Sequence, residues 1–272
     1  MLKRTISSLI LWSVLLVCIR YFGAVGAVWL ITGMSALTLY ELYGMIARMG
    51  IAPFNRLGLA FGTVITLAPL YLEPRVTTAE LLALGVIAFS VRILGEREPG
   101  NRVETLGWTL LGLVYVPFML QFLVRIALIA SPRPSTGLAL LFWLIAVSKL
   151  CDTGALLTGL AMGRHKMAPN ISPKKTWEGV AGGLLISVIA GASLAWGCHA
   201  YLPASFTPLV GALTALPIAA LAIVSDLVES VIKRRADIKD TGQTIPGIGG
   251  MFDLSDSLIL TAPVGWAVFH LF

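Results

Sequence analysis

Long apolar runs, separated by short polar breaks, set the pattern of this chain. They fall at roughly 6–20, 22–46, 57–72, 79–94, 106–129, 137–161, 179–200, 207–231 and 254–271. A helix that crosses a bilayer needs about 20 mostly apolar residues, and these stretches approach or reach that length. Turn and charge signals separate them, among them Pro53 to Arg56, Glu73 to Arg75, Gly95 to Gly100 and Ser131 to Pro134. The pattern predicts an all-α polytopic membrane bundle of about nine transmembrane helices. The N-terminal Lys3 and Arg4 followed by Ile6 to Ile19 have the form of a signal peptide. The apolar character resumes at Tyr21, so the stretch is read as a retained first span.

Composition agrees. Of 272 residues 57% are hydrophobic and 12% charged, against about 25% charged in a soluble domain. The formal net charge of +6 is expected of a membrane protein with Lys and Arg on its cytoplasmic loops, and it gives no ground for a nucleic-acid partner. With the N-terminus in the cytoplasm and the spans alternating, only Arg20, Arg75, Arg125 and Arg133 fall on the far side. The C-terminus is then outside, and loops 162–178 and 232–253 face the cytoplasm, as on a bacterial inner membrane. Cys18, Cys151 and Cys198 lie in apolar stretches without a CxxC pair and read as small hydrophobes.

The polar residues concentrate late. Residues 1–135 read as scaffold helices and 136–272 as the chemical region. Asp226, Glu229 and Lys233 share one helical face at i, i+3, i+7. Asp253 and Asp256 follow a basic run and the glycine-rich stretch Gly242 to Gly250. Asp226, Asp253 and Asp256 suit Mg²⁺, which takes carboxylate and phosphate oxygens; alternatively these acids balance Lys233, Arg234 and Arg235 at the membrane surface, a reading that fits Glu229 and Asp237 best. Lys149 and Asp152 form either a buried ion pair or part of a polar cavity. Ser172 and Pro173 predict a helix start, with Ser172 as cap. Lys174, Lys175 and Thr176 beside it make either an anion site or an ordinary basic loop. Gly179, Gly182 and Gly183 predict close helix packing. Arg92, Arg97 and Arg102 read as topology determinants, and Tyr40 and Glu41 as interfacial residues without a role. His165, His199 and His270 are scattered and are not expected to be ligands or bases.

From residue 148 onward the chain resembles the phosphatidate cytidylyltransferases, or CDP-diacylglycerol synthases. Ser172 to Gly179 matches that family's S-P-K-K-T-W-E-G in full, and Asp152 to Ala155 its D-x-x-A. Asp226 to Ser230, Lys233-Arg234, Lys239-Asp240, Pro246 to Gly250 and Asp253 to Asp256 follow its C-terminal signature in order. Ser225 stands for the family's Gly, Ile248 for its His and Leu254 for its Arg, so the loop's backbone, more than the His, is expected to matter.

The resemblance implies transfer of CMP from CTP to phosphatidate, giving CDP-diacylglycerol and pyrophosphate. It implies Mg²⁺, with a second metal or K⁺ beside it, and a homodimer. Asp226 and Asp253 would hold Mg²⁺, with Asp256 as ligand or close support. Lys174, Lys175, Lys239 and Asp240 would take the triphosphate with Ser172 and Thr176, Lys233 the lipid phosphate or pyrophosphate, and Asp152 would line the cavity. Competing readings are a CTP-dependent lipid kinase, a cytidylyltransferase for another lipid phosphate, a transporter using Lys149 and Asp152, and a catalytically silent relative.

Overall fold

A computed structural model describes residues 2–95, 102–133, 135–238, 241–242 and 249–272. Apolar runs become helices because each one can satisfy its own backbone without water. The helices are α1 (Leu2–Arg48), α2 (Asn55–Tyr71), α3 (Thr78–Leu94), α4 (Arg102–Leu113), α5 (Met119–Ala127), α6 (Thr136–Met162), α7 (Trp177–Gly197), α8 (Pro208–Arg235) and α9 (Met251–Phe269). A short antiparallel ribbon, β1 (Lys166–Ala168) and β2 (Ser172–Thr176), lies between α6 and α7. Among the described residues the protein is all-α apart from this ribbon.

Helices occupy every stretch expected from hydropathy. Gly23, with φ 56° and ψ −136°, interrupts α1 near the expected break between the first two runs. A π-helical turn at Val114–Phe118 joins α4 to α5 and contains Pro117. Proline lacks an N–H and crowds the preceding carbonyl, and the wider turn absorbs both defects. Among the described residues, Val17–Arg48, Arg102–Ala127, Thr136–Met162, Trp177–Gly197 and Pro208–Arg235 are long and apolar enough to cross a membrane. These five mark an integral membrane protein. Helices α2 and α3, at 17 residues each, are shorter, and α9 carries Asp253 and Asp256 in its first turns.

The chain forms two compact units. One contains residues 1–124 and 235–255, the other 125–234 and 256–272. In the first, Tyr43 is fully buried and donates its hydroxyl to the Thr109 carbonyl at 2.9 Å. Gly58 and Gly112 make room for its ring: a Cβ at either would lie 2.5 Å from Tyr43. Ile65, Ala68, Leu81, Phe89 and Leu113 form a hydrophobic core nearby. Thr77 and Glu80 make a reciprocal capping box at the start of α3.

In the second unit, Trp143 packs edge-on against Phe206 and Phe269 and donates to the Gly191 carbonyl at 2.9 Å. Helices α6 and α7 meet closely along the expected glycines. A Cβ on Gly179 would lie 2.7 Å from the Ala155 carbonyl, one on Gly183 2.8 Å from that of Cys151, and one on Gly182 would overlap Thr158.

The predicted helix start at Ser172 is corrected. Ser172 and Pro173 lie in β2, whose free edge tolerates a residue without an N–H. The helix begins at Trp177, and Thr176 is its cap, accepting the Gly179 N–H at 3.1 Å. Pairing of the ribbon keeps the chain extended for four residues past the point where Ser and Pro alone predict helix.

Candidate active site

The second unit gathers acids and lysines from three helices and the ribbon. Helix α8 supplies Asp226, Glu229 and Lys233 on one face; α9 supplies Asp256; α6 supplies Lys149 and Asp152; β2 supplies Lys175. Helical spacing sets the α8 face, and the Ser225 hydroxyl donates to the Asp256 carbonyl, joining α8 to α9. Carboxylate oxygens of Asp226, Glu229 and Asp256 lie within 4.8 Å of one another. Glu229 and Asp256 are buried, at 2% and 7% exposure.

Lysines thread this group. Lys175 Nζ is 2.7 Å from Asp226 Oδ2, Lys233 Nζ 2.9 Å from Glu229 Oε1, and Lys149 Nζ 3.3 Å from Asp256 Oδ1 and 3.7 Å from Asp152 Oδ2. The Lys149–Asp152 ion pair foreseen as one alternative is present, and Asp256 extends it. Asp256 Oδ1 also accepts the Ser257 N–H at 2.6 Å.

Two carboxylates about 4.8 Å apart repel by roughly 3 kcal/mol at an effective dielectric near 20. Three ammonium groups offset much of the negative charge of Asp152, Asp226, Glu229 and Asp256. Hard carboxylate oxygens in close array match the donor preference of Mg²⁺. The residues therefore fit a divalent cation.

Glu229 is the member that sequence reasoning missed. It does balance Lys233, as expected, yet it is also one of the three clustered acids. Its i, i+3 relation to Asp226 was the available signal. On β2, Lys174 is exposed and Ser172 half-buried, while Thr176 is buried with its hydroxyl engaged as the α7 cap. Arg234 Nε donates to the Ile171 carbonyl at 3.2 Å, tying the end of α8 to the ribbon turn. His165 Nδ1 lies 2.6 Å from Glu178 Oε1, and the His199 and His270 rings lie beside the carbonyl oxygen of Trp196 and Trp266 respectively.

Asp253 belongs to the first unit. Its Oδ2 accepts the Gly250 N–H at 2.8 Å and the Thr241 N–H at 3.3 Å. Glu41 corrects the expectation of an interfacial residue without a role: it is 7% exposed and accepts the Met251 and Phe252 N–H groups at 2.9 and 2.8 Å and the Thr241 hydroxyl at 3.4 Å. A lone carboxylate inside an apolar helix needs such donors. Its sequence signal was faint: Glu41 is the only acid of α1, in register with Ser35 and Thr38. Lys239, Asp240 and Ile248 lie outside the described residues.

A family model described as the cytidylyltransferase family matches residues 2–272. A phosphatidate cytidylyltransferase of Mycobacterium bovis is 33% identical over 181 residues, covering 65% of this chain and 55% of that protein. Proteins of the same name are 32% identical in Thermotoga maritima, over 73% of this chain and 71% of the relative, and 29% identical in Synechocystis sp., over 87% of each. The chain thus spans about half the length of the mycobacterial relatives it matches. With the family match running along residues 2–272, the chain belongs to the cytidylyltransferase family.

Proposed function

We propose that this protein is a phosphatidate cytidylyltransferase, taking CTP and phosphatidate to CDP-diacylglycerol and pyrophosphate. The observation that carries the reading is the meeting of Asp226, Glu229 and Asp256 with Lys149, Lys175 and Lys233, on three helices and the ribbon of a membrane protein. Relatives bearing that name support the choice of substrates.

In this reading a lipid phosphate oxygen attacks the α-phosphorus of CTP. One P–O bond forms, the bond from the α-phosphorus to the bridging oxygen breaks, and pyrophosphate leaves with that electron pair. The attacking oxygen is already anionic, so no strong general base is needed. The difficulty is holding two anions together, which position and charge overcome. Lys175 and the exposed Lys174 hold the triphosphate, and Lys233 neutralises the lipid phosphate or the leaving pyrophosphate. Lys149 keeps Asp152 and Asp256 in place. Asp226, Glu229 and Asp256 would hold Mg²⁺, which when bound reduces phosphate charge and polarises the phosphorus–oxygen bonds. The distribution of basic residues supports a cytoplasmic N-terminus with loops 162–178 and 232–253 on the same side, where CTP is.

The test is an assay of purified, detergent-solubilised protein with radiolabelled CTP, phosphatidate and Mg²⁺. Magnesium-dependent label in the lipid phase, with equimolar pyrophosphate, is the expected result. Release of CDP would identify a lipid kinase instead. No labelling from folded protein, across several phosphorylated lipids, would overturn the reading.

A further inference from the structure

Helix α9 begins without an ordinary cap. Gly250 precedes its first residue and has no side chain to accept an N–H, although the first turn of any helix leaves such donors open. Asp253 supplies half of a capping box, its Oδ2 reaching back to the Gly250 N–H at 2.8 Å. The missing half comes from α1. Glu41 accepts the N–H groups of Met251 and Phe252 with separate oxygens, and its negative charge faces the positive end of the helix dipole. The same two carboxylates also hold Thr241, Asp253 through its N–H and Glu41 through its hydroxyl. Thr38, one turn before Glu41 on α1, bonds Ser255 at 2.9 Å. The glycine is part of this arrangement: a Cβ on Gly250 would overlap Thr241 Oγ1 and Glu41 Oε2.

We propose that Glu41 is a positioning residue for the transfer reaction, a cap delivered from α1 that fixes Thr241 and the Gly250–Asp253 turn. Its kinetic consequence rests on the proposed cytidylyltransferase activity; its structural consequence does not. Deleting the carboxylate frees the Met251 and Phe252 amides and loosens the first turn of α9, the helix that carries the clustered Asp256. Turnover then falls while lipid binding is kept.

Hydrogen–deuterium exchange and steady-state kinetics of the full chain in detergent test this together. In Glu41→Gln, an amide nitrogen replaces one accepting oxygen. Exchange over 250–252 is expected to quicken by about tenfold or more, with peptides around Trp143 unchanged. The kcat is expected to fall by about tenfold or more, with the KM for phosphatidate within about twofold. Unchanged exchange or unchanged kcat in Glu41→Gln would overturn the proposal. Should that variant not fold, Thr241→Val removes only the hydroxyl link and must shift both readouts in the same direction; no shift overturns the proposal equally. If the wild-type protein transfers no cytidylyl group, the functional reading fails, and exchange alone decides whether Glu41 is the cap.

Discussion

Replacing Lys175 by Met separates two effects that a single activity value would merge. Lys175 Nζ lies 2.7 Å from Asp226 Oδ2, and the proposed function also has it hold the triphosphate. The Coulomb energy of such a pair is about 6 kcal/mol at an effective dielectric near 20. The two side chains are 21% and 29% exposed, so water screens much of this, and about 1–2 kcal/mol is the realistic net figure. Methionine keeps most of the length and apolar stem of lysine and deletes the charge. The acid group loses one compensating positive charge, which favours a divalent cation. The same deletion removes an attraction for CTP. At 1.4 kcal/mol per factor of ten, the midpoint of Mg²⁺ activation should fall by about tenfold and the KM for CTP should rise by about tenfold. Titrating Mg²⁺ at saturating CTP, then CTP at saturating Mg²⁺, in the lipid-labelling assay reads both. Unchanged constants, or a Mg²⁺ midpoint that moves upward, would refute the placing of Lys175 between the cation acids and the nucleotide.

Other perturbations address single residues. Asp256→Asn removes a clustered carboxylate and one of the two acids paired with Lys149; turnover should fall by about 100-fold or more with a normal elution profile in detergent, and near-normal turnover would take Asp256 out of the site. Asp253→Asn puts an amide where Oδ2 accepts two N–H groups and loosens the start of α9, so turnover should fall by about tenfold or more in folded protein; labelling close to wild type would show that this carboxylate is dispensable. Gly112→Ala drives a methyl into the Tyr43 ring, 2.5 Å away, and should destabilise by about 1–3 kcal/mol, seen as a lower midpoint of thermal unfolding. Thr176→Val removes the α7 cap and should cost about 1 kcal/mol; an unchanged KM for CTP would confine Thr176 to capping, whereas a raised one would return it to the substrate site.

Helices were legible because each is written in contiguous residues, and their breaks in Gly, Pro and charge. The α8 face carrying Asp226, Glu229 and Lys233 was legible for the same reason: helical spacing alone aligns it. Glu229 was underweighted because its neighbours in sequence, Lys233 to Arg235, offered it an obvious role, while Asp256 approaches from a helix that begins after the glycine-rich stretch. Thr176 was hidden by the stronger local signal of Ser172 and Pro173, since only the pairing of β2 with β1 keeps that stretch extended. Glu41 was nearly invisible. Its partners lie 200 and more residues away, and no local pattern names a donor at that range. Gly250 carried half of the information, as a cap position left bare, but a missing side chain does not say which residue fills its place.

The distance between Glu41 and its donors is also an interval of time. Met251 lies 210 residues after Glu41, and synthesis proceeds at about 5–20 residues per second. Glu41 therefore emerges in a long apolar helix roughly 10–40 s before the N–H groups that will satisfy it exist. During that interval the carboxylate has to remain at the membrane surface or borrow a partner. Insertion of α1 is thus provisional until the ninth helix arrives, and a chain truncated before Met251 leaves its first long span carrying an acid stripped of these backbone donors.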